Sequence, residues 1–258
     1  MYITLSVFLI LLSLVCHEIG HARSMLKVGI KIEEMGIGIP IRGLPYLRLK
    51  SKKLGFDLCF HLLLLGAYVK SFDSEEKKIE ALPYKDFSLI MGAGVRANML
   101  FYCLLFLGMH LVNGSSIKFL ANDPFTWVTL GILIVSAPKR FFCNYMMLIF
   151  GPLMIGLIVY SFYYDPANSL TGPIGIAKIV GKFSISFATS LSISAIFSGC
   201  IGLMNALPLF PLDGGRIIDY LCGRINRLKN YQDLYRKISI VLFAVLIIAA
   251  LTSDFINL

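Results

Sequence analysis

The chain has 258 residues, of which 57% are hydrophobic and 15% charged, and its mean hydropathy is +0.77; soluble domains are nearer half apolar and a quarter charged. Apolar stretches of membrane-spanning length consume so much of it that an independent soluble core is excluded. The 24 Lys and Arg against 15 Asp and Glu read as the loop bias of a polytopic membrane protein, with no nucleic-acid partner implied.

Residues Tyr2 to Cys16 are apolar apart from small hydroxyl residues, and the segment reaches Ala22 only by carrying His17, Glu18 and His21 within or beside the bilayer. Polar groups there are costly and usually functional. No basic residue precedes the apolar run, so a retained first helix over residues 1–24 is expected, not a signal peptide. Residues 27–86 form a basic loop with eleven Lys or Arg. Inside it Phe60 to Val69 is apolar but too short to span, which suits a small membrane-associated β-hairpin or re-entrant segment.

A second helix is expected over residues 87–112. Two apolar runs, Phe125 to Ala137 and Phe141 to Tyr164, flank Pro138-Lys139-Arg140 and suit a transmembrane hairpin within residues 119–164. Further spans are expected over 187–213 and 238–256. The fold class read from the chain is thus an all-α polytopic membrane protein with about six transmembrane helices and a small β-hairpin between helices 1 and 2, forming a single domain over residues 1–258. The cations concentrate before span two, between spans three and four and between spans five and six, so the positive-inside rule puts those segments in the cytoplasm and both termini outside. Six cysteines fall mostly in apolar segments with no CxxC pair, and read as small buried hydrophobes.

The sharpest chemical signal is His17-Glu18-Ile19-Gly20-His21. Positions i and i+4 share a helix face, so both imidazoles can bind one metal while Glu18 takes a proton from a metal-bound water. A catalytic zinc site needs a third protein ligand. His61 and His110 are candidates, but each is isolated and suits a structural or interfacial role. Asp213 is the better one. It ends an apolar span on the same membrane side as His17 and His21, after two prolines that loosen the helix and before two glycines that allow close backbone approach.

With these residues in place, the sequence resembles the site-2 proteases, intramembrane zinc metalloproteases of peptidase family M50. The family's HExxH is His17 to His21, and its NxxPxxxxDG pattern is met by Asn205, Pro208, Asp213 and Gly214. The surroundings resemble the bacterial regulator-of-sigma-E protease branch, through Leu65-Gly66-Ala67-Tyr68-Val69-Lys70, Gly172-Pro173-Ile174-Gly175-Ile176-Ala177-Lys178 and Tyr235-Arg236-Lys237-Ile238. The resemblance covers residues 1–112 and 170–258. Two features depart from that branch. The interval that usually holds PDZ domains contains only the apolar hairpin, and Gly92-Ala93-Gly94-Val95-Arg96-Ala97-Asn98 has Val95 in place of a proline and an unexpected charge at Arg96. The second departure is expected to affect a local bend and no ligand.

The resemblance implies one Zn2+ per chain on His17, His21 and Asp213, with Glu18 as general base and Asn205 as a hydrogen-bond donor to the tetrahedral oxyanion. Substrates would be single-pass transmembrane proteins, such as anti-sigma factors, or remnant signal peptides. The Leu62 to Val69 segment, with Leu64, Gly66, Ala67, Tyr68 and Val69, would receive the unwound substrate by β-augmentation, Gly66 permitting close approach; a hydrophobic plug is the alternative. The implied setting is a bacterial inner membrane, in contact with membrane lipid, with the active site near the cytoplasmic side. Rival readings are an ion or metal transporter using the same polar residues and an inactive scaffold for transmembrane segments.

Overall fold

The computed structural model describes residues 1–41, 43–51, 54–63, 66–115, 122–164 and 173–256. Helix α1 (Tyr2–Lys27) leads into strands β1 (Ile32–Ile37), β2 (Tyr46–Leu49), β3 (Asp57–His61) and β4 (Ala67–Ser71), then α2 (Asp73–Ala81) and α3 (Tyr84–Val112). After α4 (Pro124–Ser136), a helical turn Lys139–Phe141 and a π-helical turn Phe142–Met146 run into α5 (Met147–Tyr164). The chain closes with α6 (Pro173–Phe183), α7 (Phe187–Asn205), α8 (Asp213–Arg224) and α9 (Gln232–Ile256).

Among the described residues four helical segments are long and apolar enough to cross a membrane: α1, α3, α7 and Lys229–Asp254, which is mostly α9. A fifth exists if α4 and Lys139–Tyr145 form one broken span, and those two are bent by 96°. Against the six spans expected from sequence, the described residues thus supply four, or five with the bent pair, and the turn expected at Pro138-Lys139-Arg140 is a sharp bend; residues 119–121 of the expected hairpin lie outside the described residues. Pro138 is the cause, because it has no amide to continue the helix. Arg96 on α3 compensates, its Nε donating to Ser136 O at 2.6 Å and its Nη2 to Ala137 O at 3.4 Å.

Of the four, α3 is the most enclosed, packed between α1 and α7. Lipid tails give apolar helices no reason to associate, so close packing of small residues and interhelical hydrogen bonds supply it. Serines repeat along the buried face of α1 at Ser6, Ser13 and Ser24. Ser13 Oγ donates to Ser198 Oγ at 2.9 Å, and Ser198 Oγ donates to Asn98 O at 2.9 Å, tying α1, α7 and α3 together at one level.

The expected β-hairpin is instead part of a four-stranded mixed sheet of order β2-β3-β1-β4. Strand β1 runs parallel to β3 and antiparallel to β4. The described part of the leucine run, Leu62 and Leu63, is not in a strand. Leu62 and Leu63 leave β3 as exposed linking residues, Leu64 lies outside the described residues, and Gly66 carries a φ of +103° before β4 begins. That φ is what Gly66 supplies, since an added Cβ would meet nothing within 4 Å. Close approach occurs opposite, at Gly36, whose missing side chain leaves room for the Tyr68 ring.

Candidate metal centre

At about 100° of rotation per residue, His17, Glu18, His21 and Met25 occupy one face of α1. All four line a cavity of about 280 Å³ with Asn205 and Asp213. Both histidines are buried, as is Asp213, although their side chains belong to elements almost two hundred residues apart in sequence.

Asp213 reaches them because α7 stops at Asn205, eight residues earlier than the expected 187–213 helix. Pro208 and Pro211 cannot extend it, and Asp213 opens the new helix α8. Folding back requires the glycines that follow: an added Cβ would stand 2.2 Å from Ala206 O at Gly214 and 2.2 Å from the Leu209 carbonyl carbon at Gly215. The last helix holds this corner in place. Tyr235 Oη donates to Pro208 O at 2.9 Å, and Arg236 grips Asp219 of α8 through two bonds of 2.6 and 2.8 Å. A carboxylate in the first turn of a helix also faces the positive end of its dipole.

The three groups form a nearly equilateral triangle. His17 Nε2 and His21 Nε2 each lie 3.2 Å from Asp213 Oδ2, and 3.0 Å from one another. Ligands about 2.0–2.1 Å from a common tetrahedral centre stand about 3.3 Å apart, so the triangle has the size of one face of a zinc coordination sphere. The His21 tautomer agrees with that use. His21 Nδ1 donates to Ile90 O at 2.8 Å, which leaves the lone pair on Nε2 facing inward. Asp213 Oδ2 is buried without a hydrogen bond, an orphaned acceptor aimed at two imidazole nitrogens.

No other triad of His, Cys, Asp or Glu converges in this way among the described residues. His61 is on β3, with Nε2 2.9 Å from Tyr68 Oη. His110 is near the far end of α3, beside Ser115 and Asp123. Asn205 lines the cavity with its amide donating to Ile201 O at 3.0 Å. Tyr68 and Val69 of β4 line it as well, and Tyr68 Oη donates to Glu34 Oε1 at 2.9 Å. Burial and that bond push the Tyr68 phenol up, so it remains a donor.

The segment Gly92 to Asn98, expected to matter only for a bend, abuts the triad. A Cβ on Gly94 would stand 2.4 Å from His21 Nε2 and 2.6 Å from His17 Nε2, so glycine is what lets the imidazoles lie against α3. Sequence reading gave no role to Gly94 or Ile90; a glycine within an apolar helix, which permits close approach by a neighbour, is the signal that could have pointed to Gly94.

Over part of its length the chain is similar to known proteins, in two alignments. One is 34% identical over 95 residues to the regulator of sigma E protease of Haemophilus influenzae, covering 35% of this chain and 21% of that one. Another is 42% identical over 52 residues to a Fusobacterium nucleatum protein, FN1322, whose name describes it as a zinc metalloprotease, covering 20% of this chain and 15% of that one. The matches thus span about a fifth or less of each relative's length. The description of peptidase family M50 fits residues 5–249, which takes in all three corners of the triad and every apolar helix between them, and the chain belongs to that family.

Proposed function

We propose that residues 1–258 act as one site-2-type intramembrane endopeptidase domain that hydrolyses transmembrane segments, with His17, His21 and Asp213 holding one zinc ion. The observation that carries this reading is the inward-facing triad of two imidazole nitrogens and one orphaned carboxylate oxygen, 3.0–3.2 Å apart, with Glu18 lining the same cavity. Zinc, when bound there, supplies the Lewis acidity that activates water and polarises a scissile carbonyl. Glu18 takes the proton from the attacking water and returns it to the leaving amine. Asn205 spends one of its two amide protons on Ile201 O, and the other is free to hydrogen-bond the oxyanion.

A transmembrane helix has its peptide groups bonded internally, so it must unwind before attack. Strand β4 is the edge of the sheet next to the cavity. Gly38 N donates to Gly66 O at 2.8 Å, so antiparallel alternation turns the Tyr68 amide and carbonyl toward β1 and those of Ala67 and Val69 outward. An unwound substrate strand pairs with these outward groups. The substrate class is a single-pass transmembrane protein or a remnant signal peptide, cleaved near the basic, cytoplasmic side of a bacterial membrane.

Purified chain in nanodiscs, given a labelled transmembrane substrate, tests the reading. One zinc per chain by elemental analysis is expected, with cleavage abolished by a chelator and restored by zinc. Glu18→Gln should keep the metal and lose at least the ~100-fold typical of a missing general base. Cleavage by the Glu18→Gln protein at the unsubstituted rate would reject it.

A further inference from the structure

The opposite face of α1 borders a second cavity, of about 610 Å³, that the peptidase chemistry does not use. Four cations line it: Arg23 and Lys27 from α1, Arg96 from α3 and Lys139 from the bend after α4. None of the four has a carboxylate within ion-pairing distance among the described residues. Lys139 Nζ donates to Ser24 Oγ at 2.9 Å and Arg96 to the carbonyls at the bend, so two of the cations are held in place by neutral partners. Arg96 and Lys139 are half-buried and Arg23 and Lys27 are exposed beside them, so an anion entering between the four meets like charges and no competing acid.

The remainder of the lining is apolar and ordered along the helices. Helices α1 and α3 run antiparallel, since His21 meets Ile90 while Leu9 packs in one cluster with Tyr102 and Cys103. The cations therefore stand at the basic end of the cleft, while Ile19, Leu100, Phe101 and Leu104 continue toward the membrane interior. From Arg96 to Leu104 is about 12 Å of helix. Ile19 and Leu104 are 40% and 65% exposed, which places an open apolar wall directly below the charges. Cations above and lipid-facing side chains below match one molecule with a negative head and apolar tails.

We propose that this cleft binds one anionic phospholipid, its phosphate among Arg23, Lys27, Arg96 and Lys139 and an acyl chain along Leu100 to Leu104. The inference also accounts for Arg96, the charge that sets this chain apart within its Gly92 to Asn98 segment. It stands apart from the peptidase reading, because its readout is lipid retention and not cleavage.

The test is native mass spectrometry of the full chain released from mixed micelles containing phosphatidylglycerol or phosphatidylcholine. Retention of one phosphatidylglycerol is expected, with about tenfold preference over phosphatidylcholine and no displacement by millimolar inorganic phosphate. Arg96 and Lys139 support the fold, so the diagnostic variant is Arg23→Gln/Lys27→Gln, which should weaken retention on the order of tenfold. An Arg227→Gln/Lys229→Gln variant of the α8–α9 connection should retain lipid as the unsubstituted chain does. Equal retention of the two lipids, equal losses in both double variants, or displacement by phosphate or by an acidic peptide would each overturn the proposal.

Discussion

The two faces of α1 make opposite use of the same helix. One presents His17, Glu18 and His21 to a small cavity in which nitrogen and carboxylate acceptors converge, and the other presents Arg23 and Lys27 to a larger cleft in which only cations converge. The first set offers electron pairs that suit a metal cation, and the second offers positive charge that suits an anion. Helical rotation keeps them apart: the first set and the second fall on arcs of about 100° each, on opposite sides of the axis. A single amphipathic period, polar on both sides, thus faces two cavities whose linings differ in charge.

The comparison breaks most severely if the faces are not independent. His21→Ala should empty the metal cavity, seen as loss of zinc in elemental analysis, while phosphatidylglycerol retention stays within about twofold. Arg23→Gln/Lys27→Gln should do the reverse, with zinc content intact. Loss of both ligands in either variant would mean that the faces are coupled through the fold.

A smaller effect is expected from the wall of the metal cavity. Gly94→Ala puts a methyl group against both imidazoles and should lower zinc affinity roughly 10- to 100-fold, as disturbed supporting contacts do. Gly131→Ala, where an added Cβ meets nothing within 4 Å, is its control. If competition with a chromogenic chelator gives the two the same affinity, α3 does not set the ligand geometry.

Smaller again is the contribution of one outward hydrogen bond at β4. Ala67→Pro removes an edge donor without touching the β1 ladder and should reduce cleavage of stable transmembrane substrates roughly 2- to 12-fold. Substrates already weakened by helix-breaking residues should be less affected. Ala67→Val, which keeps the donor, should be milder. Equal losses for stable and weakened substrates would assign the segment to plugging and not to pairing.

The smallest effect lies away from both cavities. Ser13→Ala removes one hydrogen bond between α1 and α7 and should cost about 0.6 kcal/mol in a reversible unfolding measurement in micelles. A loss several times larger would show that the Ser13, Ser198 and Asn98 chain acts as a unit.

The sequence by itself determined the membrane class, the first helix and the pairing of His17 with His21, because hydropathy and an i, i+4 spacing are properties of one continuous segment. It also pointed to Asp213, through the prolines and glycines that make the turn before it possible. Only the tertiary structure decided what those residues meet. Gly94 and Ile90 touch the histidines from a helix some seventy positions away, and no local period records that contact. The sheet was hidden for the same reason: β1 pairs with β3 and β4 across intervening segments, so the edge strand fell on Ala67–Ser71 and Leu62 and Leu63 lie outside the strands. Arg96 looked like an anomaly in a buried helix until the bend at Pro138 supplied carbonyls for it, and Arg23, Lys27 and Lys139 supplied its neighbours. Side chains on one helix are ordered by its rotation, whereas the groups that face them are chosen by packing between segments far apart in the chain.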